Sequence, residues 1–401
     1  MSSLRTRRSI TVAVAGLLLA LSPAVPVRAH AAPVPQPADV GQDCATKVRQ
    51  AVTARGSGRA YVNCVQPLGP AQVAEGGMSA TAACGSNSWA FTRQYACSAN
   101  NATLYIIERS TGAIVGQMNY IATSEVRVNG RSDRWNHYLT ISAQSGWGAI
   151  NGLTVSARAE CGTSCNRVVV YNFDSGSALP GNTRTGGATL ESAFHGINAI
   201  WHPYSQWTWW FTSPNTAPPD SNPLTFPGPE HRCDSTLGPS TAAGCAFPQV
   251  RPVHDIAEGR YPKYARHIQL AINYYHMTDV LTRTTDSELN ALNGRIACPP
   301  TDADHPRPDG HTCDEYPFRS TYEGAASHGY GKTMFIFNWN TSYEFRCNVK
   351  WLSTRQLGDT GGYSVCMVPA GENSGGGTDL GIFYYDNRVI DRDQFQVRIV
   401  P

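Results

Sequence analysis

Two short segments near the C-terminus carry the side chains best suited to chemistry. Both are rich in carboxylate and amide oxygens, which Mg²⁺, Mn²⁺ and Ca²⁺ bind in preference to nitrogen or sulfur. The acidic and amide members are Asp314, Glu315 and Glu323 in the first segment and Glu372 and Asn373 in the second. The sequence therefore predicts a site for one hard divalent cation if the two segments meet in the fold.

Phosphodiester hydrolysis is the reaction that such a site suits. A carboxylate base deprotonates water, and a divalent ion stabilises charge on the phosphate and leaving oxygens. Because side chains alternate along a strand, Asp314 and its neighbour Glu315 point in different directions. We expect Asp314 to be the general base and Glu315 a second catalytic residue. Asn373 is the first metal ligand that we expect, and Glu372 and Glu323 are weaker candidates.

The motifs around these residues form a recognisable series. Cys313-Asp-Glu-Tyr-Pro-Phe318 is followed by Glu323-Gly324, and later by Glu372-Asn373-Ser374, glycines, Arg388 and a closing apolar stretch. This series resembles the NucA/NucB family of secreted deoxyribonucleases over about residues 230–401. The resemblance implies an α+β nuclease domain with a ββα-metal-like site, a Mg²⁺ or Mn²⁺ cofactor (Ca²⁺ is also suitable), and DNA as the substrate, cut with little sequence specificity.

Basic residues near the motifs are candidates for substrate binding. Arg266 and His267 lie in a predicted helix, and His267 matches a histidine that is common at this place in the family. Arg319 and Arg388 flank the two motifs and could bind a phosphate with two parallel hydrogen bonds. The alternative for the helix residues is an ordinary solvated helix face.

Short β-strands dominate the part of the chain before these segments. Charged residues make up 15% of the 401 residues, while glycine and proline are abundant, which favours strands and turns. We predict an irregular, disulfide-bonded lead-in over 32–83 and a sandwich-like all-β domain over 84–212. A proline-rich linker over 213–230 and the nuclease domain over 231–401 follow. The apolar run Val168–Phe173 predicts a central strand.

Two further features concern the elements around the site. Trp207 and Trp209 would share one strand face, and we favour a core or inter-domain position for them over a sugar- or base-stacking platform. In the C-terminal domain, apolar spacing predicts a helix over Arg260–Arg283, and Thr285–Glu288 resembles a capping box. A short helix is predicted over Asp379–Tyr385.

The N-terminus and the cysteines indicate an extracellular protein. Residues 1–31 have the basic start, apolar run and Ala29-His30-Ala31 ending of a signal peptide, and predict cleavage after Ala31 and no membrane anchor. The net charge is +2, and loss of the four arginines in this segment leaves −2, which is not the charge of an architectural DNA-binding protein. The even number of twelve cysteines predicts disulfides. Pairing of neighbours is the simplest hypothesis: 44–64, 84–97, 161–165, 233–245, 298–313 and 347–366.

Two other functions compete with the nuclease. A non-catalytic binding or adhesion protein would use the β domain, and the tryptophan-rich strand favours it slightly. A glycoside hydrolase would use paired carboxylates, but such carboxylates face each other across a sugar, which adjacent residues fit poorly. We expect a monomer, and the sequence does not indicate an inhibitor or immunity partner.

Overall fold

The structure is a computed structural model and is mostly β. It describes residues 61–70, 84–86, 88–193, 195–216, 220–237, 243–333, 335–338, 343–353 and 361–401. The predicted signal peptide, Cys44 and most of the predicted lead-in lie outside the described residues. Two hydrophobic cores divide the described chain into a β region (residues 61–250) and an α+β region (residues 253–401).

One large, mainly antiparallel sheet forms the first layer of the β region. Its strands are β1 (Tyr61–Pro70), β2 (Gly85–Ser86), β3 (Ala90–Phe91), β4 (Tyr95–Glu108), β5 (Ile114–Asn129), β6 (Ser132–Gly148), β8 (Cys165–Phe173) and β10 (Thr183–Ser192). The main order is β1-β4-β5-β6-β10-β8, with β2 and β3 on β4. Strand β5 shows why this sheet has a core face: every second residue, including Met118, Tyr120 and Ala122, is buried.

Smaller sheets complete the β region. They contain β7 (Thr154–Cys161), β9 (Gly176–Ser177), β12 (Ser205–Thr212) and β13 (Leu224–Pro227), and separately β11 (Ile200–Trp201), β14 (Arg232–Asp234) and β15 (Gly244–Ala246). Trp207 and Trp209 on β12 are 0% and 4% exposed, and Trp209 donates a hydrogen bond to the hydroxyl of Tyr120. These tryptophans therefore lie in the core between the sheets, which confirms that interpretation and excludes them as a stacking platform.

Two segments differ from the sequence expectations. Val168–Phe173 was predicted to be a central strand, but β8 is the edge of the large sheet, and Val170 is 60% exposed. The apolar side chains of β8 are partly covered on one face of the sheet and are not buried on both faces. Residues 224–227, within the predicted linker, form strand β13, which pairs with β12 at a sheet edge, where proline is tolerated.

The α+β region surrounds the second core. Its helices are α1 (Pro262–Tyr275), α2 (Ser287–Ala297) and α3 (Ala370–Asp386), with a 3₁₀ turn at Ala325–Ser327. Its strands are β16 (Val253–Ala257), β17 (Val280–Thr282), β18 (His311–Tyr316), β19 (Gly331–Lys332), β20 (Phe335–Asn338), β21 (Tyr343–Arg346), β22 (Tyr363–Pro369) and β23 (Gln394–Val400). They form sheets in the orders β16-β23-β17, β18-β22-β19 and β20-β21.

Local signals explain the first two helices. Pro262 begins α1, where a missing backbone N–H costs nothing. Asp286, within the predicted capping box, caps α2 by accepting hydrogen bonds from the N–H groups of Glu288 and Leu289. Helix α1 ends at Tyr275, earlier than predicted, because His276 adopts a left-handed backbone conformation.

Helix α3 is much longer than the short helix predicted over Asp379–Tyr385. It contains five glycines, each of which disfavours a helix by about 1 kcal/mol relative to alanine. The helix forms because two of these glycines allow close packing: a Cβ at Gly375 would lie 2.6 Å from the ring of Tyr261, and one at Gly376 would lie 2.5 Å from the ring of Tyr264. Tertiary contact with α1 therefore outweighs local propensity.

Five disulfides hold the described chain, between Cys84 and Cys97, Cys161 and Cys165, Cys233 and Cys245, Cys298 and Cys313, and Cys347 and Cys366. These bridges confirm the neighbour pairing for ten of the twelve cysteines, whereas the predicted partner of Cys64 lies outside the described residues. Such a number of bridges is typical of extracellular proteins. Within the described residues, no helix has the length and apolar character needed to cross a membrane.

Candidate functional site

Strands β18 and β22 and helix α3 position the residues with candidate chemistry. The two strands are antiparallel, with Asp314 opposite Cys366, and α3 follows β22 directly in the chain. Alternation along β18 places Thr312 and Asp314 on one face and Glu315 on the other. The face with Asp314 is covered by α1 and α3.

Asp314 lies in a buried chain of polar groups. Its Oδ2 is 2.6 Å from Nδ1 of His267 on α1, and Nε2 of His267 is 2.9 Å from the hydroxyl oxygen of Ser364 on β22. Asp314 is 4% exposed, and the other two side chains are 0% exposed. Burial raises the pKa of Asp314, and the hydrogen bond and charge of His267 oppose this rise.

The structure brings Asn373 beside this acidic strand. The Asn373 amide nitrogen donates to the hydroxyl of Thr312 over 3.0 Å and to the carbonyl of Cys313 over 2.8 Å. These bonds fix the side-chain orientation, and within the described part of the chain the amide oxygen accepts no hydrogen bond. The Asn373 oxygen is thus available to a ligand beside Thr312 and Cys313, the residues that precede Asp314 on β18, and the two segments meet through these bonds.

Glu372 has a structural partner at the start of α1. Its Oε2 accepts hydrogen bonds from the backbone N–H groups of Lys263 and Tyr264, over 2.7 and 3.0 Å. The carboxylate therefore caps α1 and faces the positive end of that helix. One Glu372 oxygen is occupied in this way, and only the other, which no described residue bonds, could contact a metal ion.

Glu315 lies on the opposite face of β18 from Asp314. Burial, reinforced by the charge of Asp314, raises its pKa to about 8, although Arg319 opposes the shift. Its side chain is partly exposed, and its Oε2 lies 3.4 Å from Sγ of Cys298. Arg319 is exposed near this carboxyl group. The geometry separates Glu315 and Arg319 from the Asp314–Asn373 face.

Glu323 and Arg266 do not join the Asp314–Asn373 pair through the contacts that the structure shows. Oε2 of Glu323 accepts from the backbone N–H of Thr282 on β17 over 2.8 Å, so this side chain stabilises a strand end. Arg266 on α1 is partly exposed and hydrogen-bonds Gln269 one turn further along the helix. The bond from Glu323 to Thr282 indicates a structural role for Glu323, and the bond from Arg266 to Gln269 is not evidence for phosphate binding.

Arg388 requires a correction. Its side chain is 0% exposed and forms an ion pair with Asp234, which is also fully buried. Its Nε donates to Oδ2 of Asp234 over 3.1 Å, and Nη2 donates to the Asp234 carbonyl over 2.6 Å. Arg388 therefore joins the two regions and cannot contact a substrate phosphate.

Among the residues that the structure describes, two other side-chain groups have metal-ligand composition but are not metal sites. They are His231 with Cys233 and Cys245, and His267 with Cys347 and Cys366. In both groups the cysteines are disulfide-bonded to each other, so no thiolate is present. Each group then offers only a histidine nitrogen.

Ser364 is the residue of this site that the sequence analysis missed. Ser364 is a polar residue within the buried strand Tyr363–Pro369. A polar side chain in an otherwise mostly apolar run is the only local sequence feature that could have indicated its role. Comparisons of the chain with protein-family models, with curated proteins and with solved structures found no match.

Proposed function

We propose that the α+β region is a secreted, divalent-metal-dependent endodeoxyribonuclease that hydrolyses DNA with little sequence specificity. The observation that carries this proposal is the hydrogen bond from the Asn373 amide to the Cys313 carbonyl, which joins residues 60 positions apart. It brings a helix residue with a neutral oxygen donor against the strand that carries Asp314. A pair of antiparallel strands with a helix after the second strand supports the ββα-metal-like site that the resemblance implies.

Asp314 is suited to the role of general base. Burial raises its pKa, so the carboxylate takes a proton from water more readily than an ordinary aspartate does. His267 donates from Nδ1 to one carboxylate oxygen of Asp314. The hydroxyl of Ser364 forms a hydrogen bond with the other ring nitrogen of His267. These contacts fix the direction of the carboxylate, which is the preorganisation that an efficient base requires.

The donor set fits a magnesium or manganese ion. The Asn373 amide oxygen and the second oxygen of Glu372 are hard donors on the first turn of α3. Mg²⁺ keeps several water molecules and uses few protein ligands, which agrees with a set of one amide and one carboxylate. When bound, such an ion supplies electrostatic stabilisation of charge on the phosphate.

Glu315 has a supporting role in this proposal. Because it lies behind β18, it does not face the same phosphate as Asp314. The charge of Asp314 adds to burial in raising the pKa of Glu315 to about 8, so Glu315 is largely protonated at neutral pH. The opposite directions of the two side chains also argue against a glycoside hydrolase, whose carboxylates flank one sugar bond.

Plasmid cleavage by the purified mature chain tests the function. We expect nicking and linearisation with Mg²⁺ or Mn²⁺, abolished by a chelator and reduced about 100-fold or more in Asp314→Asn. Asp309→Asn is a matched control, because Asp309 is exposed in the loop before β18. Wild-type activity in Asp314→Asn would disprove the role of this base, and absence of cleavage with every divalent metal would favour a binding protein.

A further inference from the structure

Residues of the β region bind the C-terminal end of α3, the helix that carries Asn373. Gln94 donates from its amide nitrogen to the Asp386 carbonyl over 2.7 Å. Arg93 donates to the Asn387 carbonyl over 2.6 Å and to the Arg388 carbonyl over 2.8 Å. The last carbonyls of a helix have no partner within the helix, and here the donors come from the loop before β4.

Buried charges strengthen the same contact. Arg93, Arg232 and Arg388 lie together with the carboxylates of Asp234 and Asp393, and all three arginines are at most 7% exposed. Arg93 and Arg232 both contact Asp393. Three cations and two anions leave one positive charge, which the negative end of the α3 dipole offsets.

Helix α3 needs such a partner because of its composition. Gly377 and Gly381 have open space where a Cβ would lie, so at these positions glycine lowers helix propensity without a gain in packing. The glycines lie between the end bound by Arg93 and the end that bears Glu372 and Asn373. A loosened C-terminal end would therefore allow motion at the candidate metal ligand, about 20 Å away along the helix.

We propose that Arg93 and Gln94 are positioning residues that hold α3 in its helical form and so keep Asn373 against β18. The β region is then an internal clamp on the candidate site, not a separate ligand-binding module. The expected effect on catalysis rests on the proposed nuclease function, whereas the expected effect on the stability of α3 does not. The clamp can therefore be tested with a structural measurement and, separately, with an activity measurement.

Amide hydrogen exchange on the full mature protein measures the clamp directly. We expect Gln94→Ala and Arg93→Lys to accelerate exchange in residues 370–386 about tenfold, with little change in β5 or β6. Arg93→Lys keeps the charge but loses the planar set of donors. Arg134→Gln is the matched control, because the exposed side chain of Arg134 pairs with Glu191 on β10 and not with α3.

The activity measurement uses plasmid cleavage with Mg²⁺. We expect Gln94→Ala to lower kcat about tenfold and to change KM for DNA less than twofold, since DNA contacts are not altered. Adding Gly377→Ala and Gly381→Ala to Gln94→Ala should restore slow exchange and most of kcat, because alanine stabilises the helix independently of the clamp. A merely structural loss of folded protein would not be rescued in this way.

Three results would overturn the clamp: unchanged exchange in residues 370–386, uniformly faster exchange over the whole chain in Gln94→Ala, or no rescue by the two alanines. If the wild-type protein does not cleave DNA, the proposed function fails, but the exchange data still decide whether the β region holds α3.

Discussion

Adjacent glycines in α3 allow a sharp test of how the candidate site is assembled. A Cβ at Gly376 would lie 2.5, 2.7 and 2.9 Å from three ring atoms of Tyr264. Tyr264 is 2% exposed, so its ring has no space into which it can move. At Gly377, by contrast, no atom lies within 4 Å of the added Cβ.

The two alanine substitutions should therefore have opposite effects on stability. Gly377→Ala gains about 0.5–1 kcal/mol from helix propensity and reduced freedom of the unfolded chain. Gly376→Ala gains the same amount but forces overpacking against Tyr264, which costs about 1–3 kcal/mol. The expected difference between the two variants is about 2 kcal/mol, with Gly376→Ala the less stable.

Equilibrium urea unfolding, followed by tryptophan fluorescence and by circular dichroism, measures this difference. The pair controls for composition because the two variants differ only in the position of one methyl group. Gly376→Ala should also lower DNA cleavage, since displacement of α3 from α1 moves Asn373. If Gly376→Ala is as stable as Gly377→Ala, close packing of α3 on α1 is not what holds this helix, and the reasoning about the site fails with it.

The remaining predictions concern buried charge. Burial lowers the pKa of both His137 and His231 to about 3, so the unfolded chain binds more protons and stability falls as pH decreases below the unfolded value near 6.5. Between pH 7.5 and pH 4.5, these two histidines should lower the free energy of unfolding by about 5 kcal/mol, whereas the raised pKa of Glu315, about 8, acts in the opposite direction. His137→Gln should therefore lose less stability than the wild-type protein as the pH falls, measured by urea titration. An unchanged pH dependence in His137→Gln would contradict the neutral, buried state of this ring. Arg388→Ala should destabilise the protein by about 3–5 kcal/mol, because it leaves Asp234 buried without its partner, whereas Arg388→Ala with Asp234→Ala should recover part of this loss. A stable Arg388→Ala protein that has lost DNA affinity would instead restore Arg388 as a phosphate ligand.

Local information in the sequence determined the features with short-range causes. Neighbouring cysteines pair because the strands and loops between them are short, as in Cys298–Cys313. The cap at Asp286 and the start of α1 at Pro262 follow from backbone hydrogen-bonding needs that a few residues satisfy. The approach of Asn373 to the acidic strand was also anticipated, but only through the motif resemblance.

Tertiary structure alone decided which side chains are buried and what they contact. Arg388 has the sequence context of a substrate ligand, yet Asp234, far away in the chain, buries it. The glycine run in α3 predicts a turn by propensity, but close contact with Tyr261 and Tyr264 makes it a helix. Ser364 gains a role only because His267 packs against it. In each case the energy comes from a partner distant in sequence, whose position no local pattern encodes.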